Sequence, residues 1–217
     1  VRKSQGFNVR EGIHVSDLVY CLHKAYIRRI ALEPIVEEDA VTLMWLLGRG
    51  HHGIFEIGAS EVPVEADEIV GTVDLIQVAA GGWNYPVEIK TTRQSSNRPI
   101  IDQTHWFQQL ASYCYMLGRQ SGQLWVMYLN GNYKPPTPIL KVYNLTFSWS
   151  DLLEWWDEMR LRKGLLEDAL ADSENAELLI PHHHTWECGY CSFKGTLCPG
   201  GEGVNEGFLI PAMGVQS

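Results

Sequence analysis

Tyr85-Pro86-Val87-Glu88-Ile89-Lys90-Thr91-Thr92 sets an acid and a base two residues apart in a run rich in β-branched residues. It has the composition and length of a strand, and side chains alternate across a strand. Glu88 and Lys90 therefore share one face and Val87 and Ile89 the other. A carboxylate beside an ammonium forms an ordinary salt bridge. The same pair also serves as a metal ligand next to a charge that handles a nucleophile or a developing anion. Glu-x-Lys alone favours the ordinary reading, so the weight rests on what converges on it.

Working outward, Glu61–Asp67 and Ile69–Ala79 read as two further strands, with hairpin links at Asp67-Glu68 and Gly81-Gly82. Arg93–Pro99 is a polar loop. Residues 102–119 return to helical spacing through Trp106, Gln109, Leu110, Tyr113 and Leu117. Gly122–Asn130 and Ile139–Phe147 are strand-like, joined by the stiff turn Lys134-Pro135-Pro136-Thr137-Pro138. Ser148-x-x-Asp151 opens a long helix that runs to about Ala171. Upstream, Leu18, Cys21, Leu22, Ala25, Tyr26 and Arg29 mark an amphipathic helix, with Ser16 as N-cap and Glu33-Pro34 as its end. A second helix spans about Asp39 to Gly58. The order predicts a mixed α/β core, its central sheet flanked by helices, whose two ends carry something extra.

The 217 residues suffice for one domain, with 45% hydrophobic residues and eight Trp to fill a core. The formal charge of −9 argues against indiscriminate phosphate binding by the whole surface and leaves room for a local basic groove. No run is long and apolar enough for a membrane span, and the N-terminus lacks a signal peptide's apolar region, so a soluble cytoplasmic protein without a membrane partner is expected. Five cysteines, an odd number, favour metal chemistry over a disulfide framework.

Asp74 lies on the strand before Glu88, with thirteen residues between them. In an antiparallel pair, opposite side chains come within about 5 Å, so both carboxylates can point at one hard divalent cation such as Mg²⁺ or Mn²⁺. Lys90 would then orient water or stabilise charge on a phosphate. A cross-strand acid pair on a solvated edge is the bland alternative. Gly48, His52 and Glu56 are spaced by four along one helix face, and Gln109 and Tyr113 are likewise four apart. A surface histidine and a core tyrosine are the commoner readings of each alone. Cys188-x-x-Cys191 and Cys198 form a three-thiolate group. One of His182, His183 and His184 would complete a zinc site; Cys21 is the other fourth ligand. Cys114, between two tyrosines, reads as a core cysteine.

In this order, Gly-x-x-x-His-x-x-x-Glu, Gly-x-x-Asp, Glu-x-Lys and Gln-x-x-x-Tyr resemble the RecB-type motif series of the PD-(D/E)xK nuclease superfamily, with Val73-Asp74 in the place of Pro-Asp. One early cysteine and a C-terminal Cys-x-x-Cys…Cys resemble the iron–sulfur staple of RecB-type nucleases. Together the two sets resemble the CRISPR-associated exonuclease Cas-four family, over about Ser16 to Pro199. The resemblance implies a restriction-endonuclease-like fold. It implies a Mg²⁺ or Mn²⁺ site formed by His52, Asp74, Glu88 and the Ile89 carbonyl. Lys90 would be catalytic, supported by Gln109 and Tyr113. Cys21, Cys188, Cys191 and Cys198 would hold one iron–sulfur cluster, of 4Fe–4S or 2Fe–2S type. One nuclease domain over 1–217 is expected, its core at 36–172 and its cluster-bearing segments at 14–35 and 173–200. The implied activity is a metal-dependent exonuclease acting 5′→3′ on single-stranded DNA, beside the integrase proteins of CRISPR spacer acquisition. A non-catalytic DNA-binding or adaptor subunit and a zinc-stabilised nuclease are the alternatives. For DNA contact the candidates are Lys24, Arg28, Arg29, Arg49, Arg93 and Arg98, with Tyr26, Trp45 and Trp106 for stacking.

Overall fold

The computed structural model describes residues 11–31, 46, 50, 59–79, 81–180, 186–198 and 215–216. Its strands are β1 (Ile13–His14), β2 (Ala59–Ala66), β3 (Ile69–Val78), β4 (Asn84–Thr92), β5 (Ser121–Tyr128), β6 (Ile139–Thr146) and β7 (Val215–Gln216). Its helices are α1 (Val15–Val19), α2 (Leu22–Ile30), α3 (Thr104–Met116), α4 (Trp149–Ala171) and the short α5 (Ala176–Leu179), with single 3-10 turns at Ile100–Asp102 and Trp186–Tyr190. The second expected helix, with His52 and Arg49, falls outside the described residues except for Leu46 and Gly50, both helical.

The sheet is mixed, in the order β1-β3-β4-β5-β6-β7, with β2 also on β3. The β2–β3, β3–β4, β5–β6 and β6–β7 pairs are antiparallel, whereas β1–β3 and β4–β5 are parallel. The β4–β5 pair is parallel because α3 carries the chain back across the sheet between them, as a parallel neighbour requires. Asp67 and Glu68 both take positive φ, 50° and 60°, the conformation that suits a two-residue hairpin between right-twisted strands.

The large core lies on the helical face of the sheet. Leu18, Leu110, Leu124, Val126, Leu152, Trp156 and Met159 are fully buried there. A smaller cluster of Leu75, Val87 and Ile89, with Tyr85 and Trp125 against it, occupies the other face. Two buried tryptophans fix α3 on α4. The Trp155 indole N–H donates to Ser112 Oγ at 2.9 Å, and Trp156 stacks on Tyr115 with centroids 4.4 Å apart. Gly122 lets α3 approach β5 closely: a Cβ there would stand 2.9 Å from Leu110 and 3.0 Å from the Pro86 carbonyl. The helix α4 starts in a capping box, with Asp151 N–H on Ser148 Oγ and Ser148 N–H on the Asp151 carboxylate.

The first helix departs from expectation. One continuous helix capped by Ser16 was read from the pattern; instead α1 is capped at His14, and the chain breaks at Tyr20-Cys21 before α2 begins. The polar groups freed by the break are met by distant residues. Arg162 of α4 donates to the Leu18 and Tyr20 carbonyls, and the Cys21 N–H donates to the Glu187 carboxylate at 2.9 Å. Buried backbone groups require such partners.

Candidate active site

The distortion of β3 places Asp74. Ile69 and Val73 pack in the large core and Leu75 in the small one, so the facing of the strand changes at Asp74. The β2–β3 register passes from Ser60–Leu75 to Val62–Val73, and between them Glu61 has φ 53°, uncommon for a residue with a side chain. On the other side, the β3–β4 ladder runs from Val78–Asn84 to Leu75–Val87. One step beyond that pair, Asp74 Oδ2 accepts the Ile89 N–H at 2.8 Å. The carboxylate stands in for a ladder bond where the strands part, which leaves it beside Glu88.

Glu88 is 1% exposed. Its Oε1 lies 2.7 Å from Lys90 Nζ, and its Oε2 is buried with no hydrogen-bond partner. Burial, with the nearby Asp74 charge adding to it and Lys90 opposing it, pushes the Glu88 carboxyl up to about 8. A buried, orphaned carboxylate oxygen beside a second carboxylate is costly unless a cation completes it. The donors present, two carboxylates on adjacent strands, therefore fit a hard divalent ion.

Lys90 donates to Gln109 Oε1 at 2.8 Å, and the Gln109 amide donates to the Tyr113 hydroxyl at 3.2 Å. Burial works against the Lys90 ammonium, but Glu88, Tyr20 and Asp74 outweigh it and raise the pKa above its ordinary value. Lys90 is thus held as a cation. Burial raises the Tyr113 phenol, so Tyr113 stays protonated. Its ring explains the glycine of Gly71-x-x-Asp74: a Cβ at Gly71 would stand 2.7 Å from Tyr113 Cε1.

Two residues at this site lay outside the sequence reading. Tyr20, at the α1–α2 break, lies near enough to Lys90 for the two to interact electrostatically. His105 stacks obliquely on Tyr20, centroids 5.5 Å apart, and burial followed by the Lys90 charge lowers it to about 3, leaving a neutral imidazole. His105, Gln109 and Tyr113 are four apart and share a face of α3, a signal the helical period already contained. For Tyr20 the sequence held no such signal.

Cys21, Cys188, Cys191 and Cys198 are free thiols lining one pocket with Lys24, Glu187 and Phe193. Among the described residues, no three His, Cys, Asp or Glu side chains are gathered closely enough to ligate one ion. Burial, above all, raises the Cys21 thiol. Cys114 is buried in the main core. His182, His183 and His184 lie outside the described residues.

The basic candidates divide. Arg29 pairs with Asp17 at 2.6 Å and donates to the Gly12 carbonyl. Lys24 lies 3.6 Å from Glu187 in the cysteine pocket. Arg28 sits on the same short helix, whereas Arg93 and Arg98 are exposed on the loop after β4. Trp106 and Tyr26 are core residues. Arg49 and Trp45 fall outside the described residues.

This geometry, two carboxylates and a lysine on the central strands of a mixed sheet backed by α3, defines a class. Residues 24–199 match the model of the PD-(D/E)XK nuclease superfamily, and the chain belongs to that superfamily. Among solved structures it is similar to SSO0001, with 20% identity over 90% of this chain and 89% of that one and a TM-score of 0.54. It is also similar to an alkaline exonuclease, LHK-Exo, from Laribacter hongkongensis, with 12% identity over 77% and 94% of the chains and a TM-score of 0.46. A phage-related exonuclease from Haemophilus somnus 129PT gives 9% identity over 75% and 96%, with a TM-score of 0.49. None of the curated proteins matches the chain.

Proposed function

We propose that this chain is a divalent-metal-dependent DNA exonuclease acting 5′→3′ on single strands, with an iron–sulfur cluster held by Cys21, Cys188, Cys191 and Cys198. The observation that carries the catalytic part is the partnerless Glu88 Oε2, buried between Asp74 and Lys90. Asp74 and Glu88, joined by the Ile89 carbonyl and by His52, would hold Mg²⁺ or Mn²⁺. Bound there, the ion supplies Lewis acidity and a water of lowered pKa. Lys90, kept charged by Glu88 and Tyr20 and aimed by Gln109, stabilises negative charge on the scissile phosphate. Tyr113 fixes the Gln109 amide so that its oxygen faces the ammonium.

The cluster reading is supported by four thiols, one from the α1–α2 break and three from the segment 188–198, lining one pocket. Zinc is the competing occupant. With the motif series and the cysteine placement, the Cas-four resemblance extends the proposal to CRISPR spacer acquisition, in which the chain trims DNA ends beside the integrase proteins.

Two measurements test the proposal together. Anaerobically purified protein is expected to carry iron with visible absorption. It is also expected to shorten 5′-labelled single strands from that end with Mn²⁺ but not in EDTA. Zinc at one per chain with no visible absorption would reject the cluster. Intact strands in the presence of Mn²⁺ would reject the exonuclease.

A further inference from the structure

The charge of this chain is unevenly distributed. Between Glu88 and Asp151 it carries six basic residues, Lys90, Arg93, Arg98, Arg119, Lys134 and Lys141, against one acid, Asp102, within a chain of net charge −9. The fold gathers most of those cations at one place. The loop after β4 and the turn after β5 leave the sheet side by side, because β4 and β5 are parallel. Backbone bonds stitch the two segments together: Leu129 N–H donates to the Thr92 carbonyl at 2.9 Å, and Ser96 N–H to the Gly131 carbonyl at 2.8 Å. Lys141 of β6 donates to the Ser96 carbonyl and lies over the Tyr128 ring. The rim is thus a built surface at the carboxyl ends of two parallel strands, where open α/β sheets receive ligands.

Arg93, Arg98 and Lys134 are exposed on this rim, and no carboxylate among the described residues forms an ion pair with them. Asp102, in the 3-10 turn before α3, is the acid nearest in sequence to Arg98. Tyr133 is 67% exposed with φ 66°, a conformation that costs a bulky residue energy and that persists at functional sites. Its hydroxyl reaches the Arg93 carbonyl at 3.5 Å, so the ring lies across the junction of the two segments. Arg93 is three residues past Lys90, about 10 Å of extended chain.

We infer that this rim, with Arg93, Arg98 and Lys134 for phosphates and Tyr133 as a stacking platform for a base, is the surface that leads a single DNA strand to Lys90. The inference rests on the nuclease reading and deepens it. Exposed cations facing a polyanion release counterions on binding, and an exposed ring accepts any base.

The test is anisotropy of a labelled single-stranded oligonucleotide with the full-length protein in EDTA, at several salt concentrations. Replacing all three cations (Arg93→Glu, Arg98→Glu, Lys134→Glu) should weaken binding at least about tenfold. It should also lower the slope of log affinity against log salt by about 2, at roughly 0.7 per phosphate contact. Tyr133→Ala should weaken binding about fivefold or more and leave the slope unchanged. Arg119→Glu reverses one cation at the opposite end of β5, a third of the triple variant's charge change, and should do little. Wild-type binding that the triple variant retains, or that Arg119→Glu reduces equally, would overturn the rim while leaving the nuclease reading intact. A wild-type protein that binds no single strand would remove both.

Discussion

A carboxyl that holds its proton to about pH 8 binds a metal ion in competition with that proton. Glu88, raised by burial and by Asp74, holds its proton to about that pH, so the ion proposed for it would have to displace that proton. In the metal-free protein its neutral form is the favoured one. Its contribution to stability is therefore complete below about pH 4.5 and is lost as pH rises through about 8. Stabilisation by Mn²⁺ should grow over the same interval, since binding displaces the proton. Thermal melts at pH 6 and pH 8.5, with and without Mn²⁺, are expected to show the larger shift at the higher pH and no shift in Glu88→Gln. An equal shift at both pH values would contradict this. Gly71→Ala drives a methyl group to 2.7 Å from Tyr113, so either the ring or the strand must move. We expect about 1–3 kcal/mol of destabilisation in urea unfolding, with lower activity as Gln109 loses its anchor. Much of this site was legible in residue types and spacing: the structure brings Asp74, Glu88, Lys90, Gln109 and Tyr113 together. Tyr20 was not, because its contact with Lys90 depends on a chain break whose supports lie far along the sequence.

That break is the main lesson among the elements. The helical period runs through Tyr20-Cys21 without interruption, and nothing local stops the helix. The stop comes from Arg162 on the Leu18 and Tyr20 carbonyls and Glu187 on the Cys21 N–H, residues more than 140 positions away. Glu187→Ala would leave the Cys21 N–H without its acceptor and Lys24 without its partner. Denaturant melts should report a loss of about 1–3 kcal/mol, and unchanged stability would show that the joint is held otherwise. The hairpins and the long helix could be read from turn residues and the capping box. The parallel pairing of β4 with β5 depends on where α3 packs, and strand patterns do not encode that. The face change at Asp74 was hidden for a related reason: simple alternation puts Val73 and Leu75 on one side, and the strained Glu61 of β2 marks where alternation fails.

Across the whole molecule, the two sites meet at one dipeptide. Tyr20 reaches into the carboxylate–lysine centre while Cys21 faces the thiol pocket. If the cysteines hold the proposed cluster, Cys21→Ser loses it and lowers the melting temperature, with the loss read as iron per chain and as the melt midpoint. Iron retained at the wild-type level would exclude Cys21 as a ligand. The proposed hydrolytic centre is Asp74, Glu88 and Lys90 together. It is tested most directly by following end-labelled single-stranded DNA with Mn²⁺ for the wild type, Glu88→Gln and Lys90→Ala, with a thermal melt of each. The wild type is expected to shorten the strand, and both variants to be slowed at least about a hundredfold while remaining folded. Cleavage by both folded variants at the wild-type rate would contradict it.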